Sequence, residues 1–201
     1  VALASALLVV MALALTGCAT AVGRGEAALH AGRPDEAARH FADALASDPG
    51  RLEARVGLGI ARVRLREWDA AIAALEAVVA EAPDRADARL YLGLARLMHD
   101  DLAAARAQLV ALRALPIHPR IAAQLDRVLP LLVAGLDPTV RDLVAAELDD
   151  AYEWAAEVDR ARRMARVPVE PAWAPYWDSY PSAIYAPYRG VFPVHPGATS
   201  R

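Results

Sequence analysis

The chain has a single thiol, Cys18, and five imidazoles, at His30, His40, His99, His118 and His195. One cysteine excludes an intramolecular disulfide framework and any multi-cysteine metal site. The histidines show neither the H-x-x-x-H spacing nor the carboxylate partners of metal sites. No Gly-rich phosphate loop and no G-x-S-x-G elbow occurs. Two acidic pairs remain: Asp100-Asp101 falls where a turn between helices is expected, and Asp149-Asp150 falls on a charged helix face. Neither has a reason to be catalytic, so the expectation is a protein that is not an enzyme, with no metal. The 22 basic residues are all Arg and form no stripe, and the net charge of −3 implies no charged partner, which argues against nucleic-acid binding.

Cys18 ends an apolar stretch. Residues 1–15 carry no charge, a run short for a membrane span, which needs roughly 20 residues, and suited to the core of an export signal. It closes on Leu15-Thr16-Gly17-Cys18, which resembles the lipobox of bacterial lipoproteins. The resemblance implies a signal peptide over 1–17, diacylglycerol (and palmitate) on the Cys18 sulfur, and Cys18 as the mature N-terminus. It also implies a protein exported and lipid-anchored. Ala19 after the cysteine favours the periplasmic face of the outer membrane over inner-membrane retention. At about 0.8 kcal/mol per buried CH₂, two or three acyl chains make a permanent anchor. Apart from that covalent lipid no cofactor is expected.

The elements beyond the cysteine are read from composition and repetition. The apolar fraction of 56% owes its excess to alanine, 48 residues, while aromatics are 6%. Alanine is the best helix former and permits close helix contacts, so the fold class expected is all-α. Gly25, Gly59 and Gly93 lie 34 residues apart, as do Ala37, Ala71 and Ala105; Phe41, Leu75 and Leu109 keep the same interval. Small residues suit the closest approach of two helices, and the bulky residue four positions later fills the next turn of the same face. Pro49 and Pro83 stop the second helix of a hairpin, with Asp48 and Asp84 supplying turn chemistry. The pattern resembles the tetratricopeptide repeat.

The resemblance implies a right-handed superhelical stack of three helical hairpins over 18–51, 52–85 and 86–119. The helices are expected over 19–31, 35–47, 52–65, 69–81, 86–98 and 102–114. A capping helix over 120–134, kinked at Pro130, and a long helix from Asp137-Pro138 to Arg166 complete region 120–166. The long helix is acidic first and basic last, which suits its dipole. Residues 167–201 form a Pro/aromatic tail, extended or disordered: from Pro168 onward it holds 7 of the 14 prolines and seven aromatics, among them Trp173, Tyr176 and Tyr188.

Relatives of this repeat type bind peptides on the concave surface lined by the first helix of each hairpin. The matching positions are Glu26 and His30, then Glu53, Val56, Ile60 and Arg64, then Asp87, Leu90, Leu94 and Met98. The positions of the basic clamp that grips a C-terminal carboxylate in chaperone-binding members hold Val22, Glu26, Asp87 and Tyr91, which excludes that mode. The expected function is a membrane-anchored scaffold or adapter that mediates protein–protein interactions in the bacterial envelope, in assembly, pilus or secretion. Its partner is a protein or peptide, not a nucleic acid or a small-molecule substrate. The alternative is a structural subunit of an envelope complex, docked through its tail, with the groove filled by its own chain.

Overall fold

The computed structural model describes residues 21–166, and every element in that span is helical. The lipobox residues Leu15, Thr16, Gly17 and Cys18, and the Pro/aromatic tail, lie outside the described residues. The chain divides into two units, 1–157 and 158–201. The helices belong to the first unit, apart from the end of the last one, which continues into the second.

Among the described residues eight helices succeed one another: α1 (residues 21–30), α2 (Pro34–Ser47), α3 (Leu52–Arg64), α4 (Trp68–Glu81), α5 (Ala86–Met98), α6 (Leu102–Arg113), α7 (Pro119–Ala134) and α8 (Pro138–Arg166). Each of α2 to α6 packs on the next, and α3 also packs on α5, which sets the first helices of neighbouring hairpins side by side. Three hairpins, α1–α2, α3–α4 and α5–α6, are therefore stacked, with α7 on the last. Helix α7 runs unbroken through Pro130.

The turns explain the boundaries. Pro34 and Pro119 stand in the first turns of α2 and α7, where the missing N–H leaves nothing unsatisfied. Asp101 caps α6 by accepting from the Ala104 N–H at 3.0 Å. Asp137 caps α8, accepting from the Thr139 N–H at 2.9 Å and from its hydroxyl at 2.5 Å. Asp48 accepts from the Gly50 N–H at 3.1 Å in the turn carrying Pro49.

The turn inside each hairpin repeats one device. Gly32, Arg66 and Asp100 have φ of 67°, 61° and 71°, the left-handed conformation that ends a helix. In each, the next residue donates to a carbonyl five positions back: Arg33 to Ala28 at 2.9 Å, Glu67 to Arg62 at 2.9 Å, Asp101 to Arg96 at 2.9 Å. Glycine stands at only the first of these three positions.

The core forms where small residues admit large ones. A Cβ on Gly25 would lie 2.7 Å from the Phe41 ring, one on Gly59 2.5 Å from Leu75, and one on Gly93 2.8 Å from Leu109. Ala37, Ala71, Ala105, Phe41, Leu75 and Leu109 are all buried. Two apolar clusters result. The first joins α1, α2 and part of α3 around Phe41; the second runs from α3 through α7 and takes in Val144, Leu148 and Ala155 of α8.

Candidate functional site

The groove positions expected from the sequence lie chiefly on α3 and α5, and α8 packs against that face. Val144, Leu148, Ala151 and Ala155 recur at i, i+4, i+7 and i+11, so they share one stripe of the helix, and all four are buried. Val144, Leu148 and Ala155 join one cluster with Val56, Leu90 and Leu94. Of the sequence-derived groove positions, Val56, Leu90 and Leu94 are thus buried, while Ile60, Arg64, Asp87 and Met98 are half-buried and Glu53 is exposed. The groove that the scaffold expectation leaves open to a peptide is filled by the chain's own helix; the alternative expectation has the chain fill it, but with its tail. The physical reason for α8 is its apolar stripe, which would otherwise face water.

Beside the stripe runs a polar seam. Arg64, whose side chain is 19% exposed, pairs with Glu153 and reaches Asp149 at 3.5 Å, while its other nitrogen donates to the Leu29 carbonyl at 3.0 Å. Burial opposes the Arg64 charge, but the Tyr91 oxygen, Asp149 and Glu153 outweigh it and hold the guanidinium protonated. Tyr91 donates its hydroxyl to Asp149 at 2.6 Å, and Tyr152 meets the Tyr91 ring edge-on, centroids 5.7 Å apart. Burial first, and the neighbouring Asp149 next, push the Tyr91 phenol well above its ordinary value. Burial likewise raises that of Tyr152. His30 of α1 adds a contact to Glu153 at 3.4 Å. Arg85 forks onto Asp87 at 3.0 and 2.7 Å, and the same carboxylate accepts from the Ala88 N–H at 2.8 Å.

The left-handed turn residues complete the seam. Arg66 reaches Asp142 at 3.2 Å and Asp100 reaches Arg141 at 2.6 Å. Two adjacent residues of α8 are therefore held by the two hairpin turns whose left-handed residue is charged. On the outer side of α8, Trp154 carries the Arg120 guanidinium 4.7 Å over its ring and meets His118 edge-on at 5.3 Å.

Sequence reasoning missed α8 as the occupant, and it missed Gly57. A Cβ there would lie 2.3 Å from Phe41, so Phe41 is gripped between Gly25 and Gly57 of two successive hairpins. The signal lay in an additional glycine two positions before the repeating one. Chemically the seam is a set of opposed charges paired with one another, with the buried Arg64 Nε left without a partner; it positions a helix. Among the described residues no group of three or more His, Cys, Asp or Glu could hold a metal ion. No helix among them is long and apolar enough to cross a membrane.

Comparison with known proteins finds one family model and several solved structures. The model of the tetratricopeptide repeat family matches residues 28–97. Among solved structures, the second tetratricopeptide domain of human RPAP3, determined with an HSP70 peptide, is 14% identical; the match covers 69% of this chain and 98% of that one, with a TM-score of 0.45. The type III secretion translocator chaperone SycD of Yersinia enterocolitica is 17% identical over 67% of this chain and 91% of its own, with a TM-score of 0.46. No curated protein matches the chain in sequence. Over residues 28–97 the chain is thus similar to the tetratricopeptide repeat, a match that spans about a third of its length.

Proposed function

We propose that this chain is a non-catalytic scaffold or adapter of the bacterial envelope, held at the membrane by a lipid on Cys18, that works by binding other proteins. The observation that carries the scaffold reading is the stack of three hairpins with a matched repeat family over 28–97. Stacked repeats contact only their neighbours and leave extended faces for partners. What supports the anchor is the sequence alone: the one thiol sits at the end of an uncharged apolar run, after Leu15-Thr16-Gly17. Helix α1 is already formed at residue 21, three positions after that cysteine. An anchor on Cys18 would hold the repeats against the bilayer, on the periplasmic face of the outer membrane, where partners are themselves membrane-bound or close to it.

A second reading has one observation in its favour. Because α8 fills the face of α3 and α5, the protein could serve as a structural subunit whose lasting contacts lie elsewhere, the Pro/aromatic tail of 167–201 included. Cross-linking in intact cells with mass spectrometry separates the two. Under the adapter reading, variants that release α8 change the partner list; under the structural reading the list is unchanged and truncation at residue 167 empties it. For the anchor, Cys18→Ser should abolish fatty-acid labelling and free the protein from membranes. Membrane association that persists in the variant would sink the anchor.

A further inference from the structure

We propose that the face of α3 and α5 is a receptor for an acidic amphipathic helix supplied by a partner protein, and that α8 is the resident copy of that ligand, exchangeable with it. The inference deepens the scaffold reading and rests on it, because it says what the repeats take.

The seat is built for a helix with two properties. Its apolar floor (Val56, Leu90, Leu94) shares one cluster with Val144, Leu148 and Ala155 of α8, at i, i+4 and i+11, and Ala151 at i+7 is buried on the same stripe. Its cationic edge, Arg64, takes carboxylates at i+5 and i+9, supplied as Asp149 and Glu153. That guanidinium is mostly buried and also committed to the Leu29 carbonyl, so it is fixed in place before an acid meets it. Tyr91 offers a further donor to the same carboxylate. An occupant lacking the acid pair would leave Arg64 buried without a countercharge, which discriminates strongly against it. Specificity therefore follows from the charge pattern, and the apolar floor supplies adhesion.

Three features mark α8 as a ligand more than as a part of the repeat stack. Its buried stripe contains two alanines, so it interlocks less deeply than the hairpins, which close on Phe41, Leu75 and Leu109. The segment that joins it to α7 is three residues long and opens on Gly135, at φ 83°, so one turn carries the whole connection. Two of its ties are long arginine pairs, Arg66 to Asp142 and Arg141 to Asp100, in which Arg66, Asp142 and Asp100 are well exposed. With α8 lifted, Val56, Leu90 and Leu94 would stand open to water as an apolar patch.

The test uses the full chain with a protease site placed in 135–137, cut after folding, so that every contact of α8 is retained but its tether is lost. A fluorescent peptide of residues 138–157 is then added and followed by anisotropy. Uptake by the cut chain, with uptake at least about tenfold weaker by the uncut one, supports the proposal. The peptide carrying Asp149→Asn and Glu153→Gln should bind about tenfold or more less tightly. A second variant, Leu148→Asp in the uncut chain, should release α8 in place and also take up the peptide; circular dichroism shows whether it is folded. No uptake by either released form overturns the proposal. Equal affinity of the acidic and neutralised peptides overturns the charge code. A released chain that dimerises and excludes the peptide assigns the seat to a second copy instead. None of these readouts needs an envelope partner, so their failure is distinguishable from failure of the scaffold reading.

Discussion

A methyl group on Gly57 would stand 2.3 Å from Phe41, a contact no packed carbon sustains, while the same ring closes on Gly25 at 2.7 Å. Gly57→Ala should therefore destabilise the chain by about 1–3 kcal/mol, the usual range for overpacking, even though alanine is the better helix former by about 1 kcal/mol. Denaturant unfolding measures it, and Phe41→Leu in the same chain should recover part of the loss by freeing space. Titration of the buried phenols is the other consequence at this scale. Tyr91 and Tyr152 both have their phenol values raised above the ordinary 10.0, chiefly by burial. A raised value in the folded state means that the folded chain keeps its proton when the unfolded chain has lost it. The stabilisation is thus complete below pH 10 and declines as the pH climbs beyond it. Thermal melts from pH 8 to 11.5 should show a fall that begins near pH 10. The double variant Tyr91→Phe, Tyr152→Phe should be less stable at neutral pH, having lost the hydroxyl bond to Asp149, yet flatter above pH 10. A profile as steep as wild type would show that these two phenols are not the ones responsible.

At the scale of elements, the turn after α3 shows a local preference overruled by a distant contact. Arg66 sits at φ 61°, where a side chain costs about 1 kcal/mol relative to glycine, and its guanidinium spans to Asp142 of α8. Both partners are well exposed, so the pair itself contributes little. Arg66→Ala keeps the strain and loses the pair; Arg66→Gly loses both. The glycine variant should accordingly be more stable than the alanine variant by about 1 kcal/mol and close to wild type. Equal stabilities for the two would mean that the turn relaxes out of the left-handed region. The same residue shows what the sequence could reveal. Helices α2 to α6 were legible because their signals are local: a 34-residue period in small and bulky positions, and prolines just inside or just past helix ends. The start of α8 was legible in the same way, from Asp137 before Pro138. The repeating left-handed turn was not, since glycine stands only at Gly32 and the two other positions carry charges that pair with α8. The occupant of the concave face was illegible for a related reason. Arg64 meets Asp149 and Glu153 across 85 and 89 residues, and no spacing along the chain announces a pair so remote. The apolar stripe of α8 was visible, but a stripe states only that something covers it. Here the covering surface is the very face that the repeat pattern marks as a binding site.

Across the molecule, the two apolar clusters differ in substance. The first, around α1 and α2, is mostly alanine, with Val22, Leu29 and Phe41 as its larger members; the second contains Leu75, Leu90, Leu92, Leu97, Leu109 and Leu112 among others. In a stack of repeats stability is close to a sum of units and nearest-neighbour interfaces, so the weaker end opens by itself. Native-state hydrogen exchange should show the amides of 21–47 opening at lower free energy than those of 86–128. Phe41→Ala sharpens the contrast. Removing a fully buried phenylalanine costs about 3–5 kcal/mol, more than an end hairpin built on alanine can absorb. Protection in 21–47 should then collapse while α5, α6 and α7 keep theirs, because Phe41 belongs to the first cluster and Ile60 lies at the border of both. Leu109→Ala, at about 2–5 kcal/mol, should instead lower protection throughout α3 to α7. A uniform loss of protection in the Phe41→Ala chain would mean that the clusters fold as one. The seam decides what α8 does in that variant. With the first hairpin open, Arg64 loses the Leu29 carbonyl and Glu153 loses His30, but Arg64 keeps Glu153 and Asp149, and Tyr91 keeps Asp149. Protection in 144–155 should therefore fall only part of the way, leaving α8 seated on α3 and α5 while the first hairpin is already unfolded.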